Sequence, residues 1–127
     1  MSDEVYLKLR EFLNQFPLGY PETPSGVEIK ILKRLFTEEE AKLAITLTRV
    51  PEEASEIAKR TGMEVNDLEN KLDLMAEKGL IFKLRRNNKI LYNAAPFMIG
   101  IYEYSVNKID KELAKYYKEY YDTAYQE

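Results

Sequence analysis

The chain has 127 residues, 45% hydrophobic and 32% charged, which suits one globular domain able to bury a core without covalent staples. Its 19 Lys and Arg against 22 Asp and Glu leave a net charge of −3, so no overall basic field draws it toward nucleic acid or an acidic membrane. It has no Cys, His or Trp, which excludes disulfides, thiolate nucleophiles, iron–sulfur ligation, Ser-His and Cys-His pairs and a structural zinc.

A first helix is predicted over residues 3–16, with Ser2 as N-cap and Val5, Leu9, Phe12 and Phe16 on one apolar stripe widened by Leu13. Residues 17–26 hold three of the five Pro and form a stiff connecting loop. Ser25 and Glu28 have the spacing of a capping box and predict the next helix start, with Val27, Ile31, Leu32 and Leu35 on its inner face. A second capping box at Thr37 and Glu40 restarts the helix, which runs on to Thr48. Pro51 suits the first turn of a helix reaching about Arg60, with Ala54, Ile57 and Ala58 inward. Gly62 ends it in a left-handed cap, and Met63 points inward. A further helix spans residues 65–78 with Leu68, Leu72 and Met75 on its buried face, and Gly79 stops it. Residues 80–84 and 89–92 read as two strands joined by a tight turn at Asn87-Asn88. Pro96 opens a long C-terminal helix over residues 97–125.

The order from Glu52 to Tyr92 fixes the expected fold. A short helix, a Gly turn, a second helix, Gly79 and a β-hairpin make a winged helix-turn-helix. The fold class is therefore mainly α, with a two-stranded β-hairpin wing and extra N- and C-terminal helices. Residues 1–95 form the winged-helix domain, and residues 96–127 the long C-terminal helix, a dimerisation element or connector. The expected core gathers Ile31, Leu35, Ile45, Ile57, Leu68, Leu72, Met75, Leu80 and Phe82.

Two surfaces carry the functional expectations. The helix over residues 65–78 sits where a winged helix places its DNA-reading element. Glu64, Asp67, Glu69, Asp73 and Glu77 oppose only Lys71 and Lys78 there, a balance that repels phosphate. The wing is the reverse, with Lys83, Arg85, Arg86 and Lys89 and no acid among them. It suits a DNA backbone, an acidic protein surface, or a hairpin tip charged only to stay soluble. In the C-terminal helix Ile99, Tyr102, Val106, Ile109, Leu113, Tyr116 and Tyr120 follow a heptad, so Tyr102, Val106, Ile109, Leu113, Tyr116 and Tyr120 are the candidate interface of a homodimer. Its Tyr-rich end is expected to overhang the core. No catalytic, cofactor or metal residues are expected. No apolar run approaches the ~20 residues of a membrane span. With acids at Asp3 and Glu4 where a signal peptide is basic, the location expected is cytoplasmic.

The stretch from Pro21 through Thr37 (PETPSGVEIKILKRLFT), with Met75-Ala76-Glu77-Lys78-Gly79-Leu80-Ile81 and Pro96-Phe97-Met98-Ile99-Gly100-Ile101-Tyr102-Glu103, resembles the N-terminal winged-helix region of bacterial 4Fe-4S ferredoxin-type proteins of anaerobes. The resemblance covers nearly the whole chain and implies a setting in electron transfer. In that family a following segment supplies the cysteines of two cubane clusters. This chain has no Cys, so the resemblance implies either a domain cut from a longer protein or a relative without clusters. It implies a protein partner, such as a redox protein, and transfers no site residue to this chain. The leading expectation is a non-catalytic interaction module, and the second a DNA-binding transcriptional regulator.

Overall fold

The computed structural model describes residues 3–16, 19–97, 101 and 111–124. The described chain is mainly helical: α1 (Asp3–Leu13), α2 (Val27–Leu35), α3 (Glu38–Ile45), α4 (Ala54–Thr61) and α5 (Val65–Glu77) precede an antiparallel hairpin, β1 (Ile81–Arg86) and β2 (Lys89–Ala94), and α6 (Lys111–Ala124) follows.

Local chemistry explains most of these boundaries. Thr37 Oγ1 accepts from the Glu40 amide at 3.1 Å while the Glu40 carboxylate accepts from the Thr37 amide at 2.9 Å, so the expected capping box opens α3. Gly62 ends α4 at φ 77°, a left-handed conformation that costs a glycine nothing. Asn87 and Asn88 take φ 53° and 65°, the two positive values that a two-residue hairpin turn demands.

Two predicted starts differ. Ser25 and Glu28 form no capping box, and Gly26 precedes α2 without a side-chain cap. Glu28 is 3% exposed. Its carboxylate accepts from Thr23 Oγ1 at 2.6 Å, while Ser25 Oγ donates to Glu119 of α6 at 2.6 Å. The Thr23 hydroxyl supplies the donor that the buried Glu28 carboxylate needs, and Ser25 is drawn to α6, so neither serves the cap. Pro51 likewise starts no helix. Glu52 instead exchanges both backbone hydrogen bonds with Tyr92 of β2, at 2.9 and 2.8 Å, and α4 begins only at Ala54. Those bonds require extended backbone and hold residues 51–53 out of the helix.

One core runs through the described chain. Against α3 and α2, α1 packs with Val5, Leu9 and Leu13 buried; α4 lies on α5, and α5 on β1. Of the expected core, Ile31, Ile57, Leu68, Leu72, Met75 and Leu80 are buried, whereas Leu35 and Ile45 are half-buried and pack at its margin. Phe82 is a correction: it is 39% exposed, and its neighbour Ile81 takes the inward position. Leu80, Ile81 and Phe82 form an unbroken apolar run with no alternation to set the phase of the strand.

Of the residues expected in the C-terminal helix, 98–100, 102–110 and 125 lie outside the described ones. Ile101 N–H bonds the Pro96 carbonyl at 3.1 Å, and α6 covers 111–124. The described helix lies on α2 as far as Tyr120, with Leu113, Tyr117 and Tyr120 buried instead of overhanging. Tyr20 of the loop stacks on Phe97 at 4.0 Å between ring centroids and meets Tyr120 at 4.9 Å. Tyr120 donates its hydroxyl to the Pro21 carbonyl at 2.7 Å, and Tyr20 donates its own to the Glu28 carbonyl at 2.8 Å. The loop is thus a connector clamped beneath α6, with two aromatic hydroxyls satisfied at the clamp.

Candidate functional site

Helix α5 and the hairpin form one continuous surface. At its start the Glu64 carboxylate accepts the amides of Asn66 at 3.0 Å and Asp67 at 2.9 Å. These two backbone hydrogen bonds hold the Glu64 carboxyl below its ordinary pKa. A helix N-terminus is a ready anion site, and here the protein's own carboxylate fills it. Both lysines of this helical segment are also engaged: Lys71 pairs with Glu39 and Lys78 with Glu40 of α3, each at 2.7 Å. Asn66, Asn70, Leu74 and Glu77 remain exposed.

A second set of bonds pins the hairpin to α5. Tyr92 donates its hydroxyl to Asp73 at 2.5 Å, and Lys83 Nζ lies 2.9 Å from the same carboxylate. Burial pushes the Asp73 carboxyl up, but the Tyr92 hydroxyl and Lys83 ammonium outweigh it and leave the pKa below its ordinary value. Burial and that carboxylate both raise the Tyr92 phenol, so it stays protonated and acts as a donor. Beside this pin an open groove of about 490 Å³ runs between Asp73, Ala76 and Glu77 of α5 and Ile81, Phe82 and Lys83 of β1.

The structure divides the four expected wing cations. Lys83 is spent on Asp73, and Lys89 lies 3.6 Å from Glu53. Arg85 and Arg86 are exposed and make no ion pair among the described residues. Of the six candidate interface residues of the C-terminal helix, Tyr102, Val106 and Ile109 lie outside the described residues. Leu113 and Tyr120 are covered within the chain, and Tyr116 is half-buried with Lys30 Nζ 5.9 Å from its ring centroid.

Sequence reasoning missed an apolar outer face on the wing. Strand residues alternate between faces, so Phe82 and Leu84 point away from buried Ile81, and Leu91 stands opposite Leu84 on that same outer face. Leu84 and Leu91 are half-buried. The alternation of Phe82 and Leu84 with Lys83 and Arg85 was the available signal.

A further ion pair ties the bridge strand to α4. Arg60 donates two bonds to Glu52, both at 2.9 Å, and two more to the Thr46 carbonyl at 3.0 and 2.7 Å. The Arg60 hydrogen bonds lower the Glu52 pKa below its ordinary 4.5, outweighing the effect of burial. A lowered carboxylate pKa contributes stability that is complete above the unfolded value and lost as pH falls through the folded one. The chain is therefore expected to weaken below pH 4.5, with Asp73 adding to the loss below its ordinary 3.8. Glu52→Gln should cost under about 1 kcal/mol at pH 7, since the pair is partly exposed, and flatten this acid limb in urea titrations run from pH 7 to 3.

Among the described residues no group of three or more His, Cys, Asp or Glu could hold a metal ion. No described helix is long and apolar enough to cross a membrane. Compared with protein-family models, curated proteins and solved structures, the chain gives no match.

Proposed function

We propose that this chain is a winged-helix interaction module without catalytic chemistry of its own, and that α5 and the hairpin dock a protein partner. The order α4, Gly62, α5, hairpin, with Glu52 bridged to β2 as a minimal third strand, supports the winged-helix reading. The observation that carries the docking reading is the occupied start of α5. A DNA-reading helix offers its first amides and nearby cations to phosphate. Here Glu64 takes the amides, and Glu39 and Glu40 take both lysines. The electron-transfer setting, with a redox protein as partner, is drawn from the resemblance to ferredoxin-type proteins.

A DNA-binding transcriptional regulator is the second reading. It is favoured by Asn66 and Asn70 on the exposed face of α5, since Asn can read adenine, and by exposed Arg85 and Arg86 on the wing. Titration of the chain into random-sequence duplex DNA at low salt separates the two. No binding tighter than about 1 μM is expected, the tight end of the 10⁻⁴–10⁻⁶ M range of ordinary non-specific binders at physiological salt. Tighter binding with a steep salt slope, flattened by replacing Arg85 and Arg86 together, would establish the regulator instead.

A further inference from the structure

We infer that the outer edge of β1 is an acceptor for one extended segment of a partner protein, apolar at alternate positions and acidic where it meets Arg85. This deepens the docking reading and rests on it.

The hydrogen-bond geometry of the hairpin supplies the edge. Glu52 exchanges both backbone bonds with Tyr92, so the Tyr92 N–H and C=O point away from β1. Lys83 stands directly opposite Tyr92. In an antiparallel ladder such a pair shares no bonds with each other, and both members direct their groups outward. The Lys83 N–H and C=O therefore point off the far side of β1, and the period of two places those of Ile81 and Arg85 with them. Among the described residues β1 pairs with β2 alone. One side of the sheet already holds a short third strand at Glu52, and the other presents the same donors and acceptors without one.

The surroundings suit a strand there. Ile81, Phe82 and Lys83 are consecutive, yet all line the groove beside α5, as residues along a strand edge do. Phe82 and Leu84 on the outer face offer apolar contact to alternate residues of an added strand, while Lys83 and Arg85 flank the residues between.

Charge selects the occupant. Cationic edges normally repel stray strands. A second β1 would bring Lys83, Arg85 and Arg86 from both copies into one sheet, which disfavours self-pairing. Carboxylates on the face of Arg85 remove that barrier. Glu77, exposed at the other end of the groove, disfavours a carboxylate near Ile81. The fitting segment is therefore acidic at one end only.

The test is an NMR titration of the ¹⁵N-labelled full chain with a capped octapeptide alternating valine with glutamate in its first half and valine with serine in its second. The expected result is slowed solvent exchange at the Ile81, Lys83 and Arg85 amides. Arg85→Pro deletes an outward N–H while sparing the ladder to β2, and should weaken binding about ten-fold, the worth of one backbone bond with its steric block. Arg85→Gln should weaken it about three-fold, as one exposed ion pair implies, and keep the exchange signature. The same peptide with lysine in place of glutamate should not bind. Shifts confined to residues 86–89 without edge protection would overturn strand addition and leave side-chain docking standing. No perturbation at millimolar peptide would overturn it as well. Wing protection by duplex DNA, with none by peptide, would sink both this inference and the docking reading.

Discussion

Phe97→Ala should cost about 3–5 kcal/mol of stability, the range for removing a fully buried aromatic. Phe97 is 1% exposed and sits where three segments distant in sequence meet. Its ring stacks on Tyr20 of the loop and lies 6.2 Å from Tyr117 and 6.5 Å from Tyr120 of α6. This cluster packs α6 against the loop and α2. Polar contacts beside it include Ser25 to Glu119, Arg34 to Glu112 and Tyr120 to the Pro21 carbonyl. A cavity here should therefore loosen α6 from α2 before the rest unfolds. Urea unfolding followed by far-ultraviolet circular dichroism checks the size of the loss. Hydrogen exchange checks its place: residues 111–124 should lose protection while α5 keeps it. A loss under about 1 kcal/mol would mean that α6 is held elsewhere, because full burial of a Phe is worth more than that.

The fate of α6 shows how far its heptad was legible. The repeat revealed an apolar stripe, and a stripe says that a face is covered without saying by what. The buried residues are Leu113, Tyr117 and Tyr120, not Leu113, Tyr116 and Tyr120, so the face is rotated slightly toward the loop. That rotation follows from Tyr20 and Phe97, whose approach no local pattern encodes. The two Ser/Thr-x-x-Glu motifs make the same point. Thr37 and Glu40 cap α3 because the half-covered turn leaves the Thr37 amide within reach of the Glu40 carboxylate, whose other oxygen Lys78 takes. Ser25 and Glu28 share the spacing, but buried Glu28 has the Thr23 hydroxyl as its donor and exposed Ser25 turns to Glu119. Signals internal to one turn, such as Gly62 and Asn87-Asn88, needed no tertiary knowledge and appear where expected. The site was half legible. Charge alone marked the wing and the acidic α5, but the pairing of Lys83 and Lys89, and the closure of the α5 start by Glu64, depend on which carboxylates the fold brings near.

A pair of substitutions on neighbouring elements separates folding from docking. Leu72→Ala should cost about 2–5 kcal/mol, because Leu72 is completely buried on the inner face of α5 and truncation there leaves a cavity. That is a large share of the roughly 5–15 kcal/mol by which small domains are stable, so the variant should be partly unfolded at 37 °C. Phe82→Ala removes a larger side chain yet should cost only about 1–2 kcal/mol, since Phe82 is already 39% exposed beside Leu84 and the groove. Thermal unfolding of both variants measures the contrast. If Phe82→Ala proved as damaging as Leu72→Ala, the ring would be a core residue and the outer face of the wing would be closed. With the contrast as expected, Phe82 is an aromatic that the fold buries only in part, held on the wing beside two arginines with no ion pair among the described residues, and its removal should weaken partner binding in a chain that remains folded.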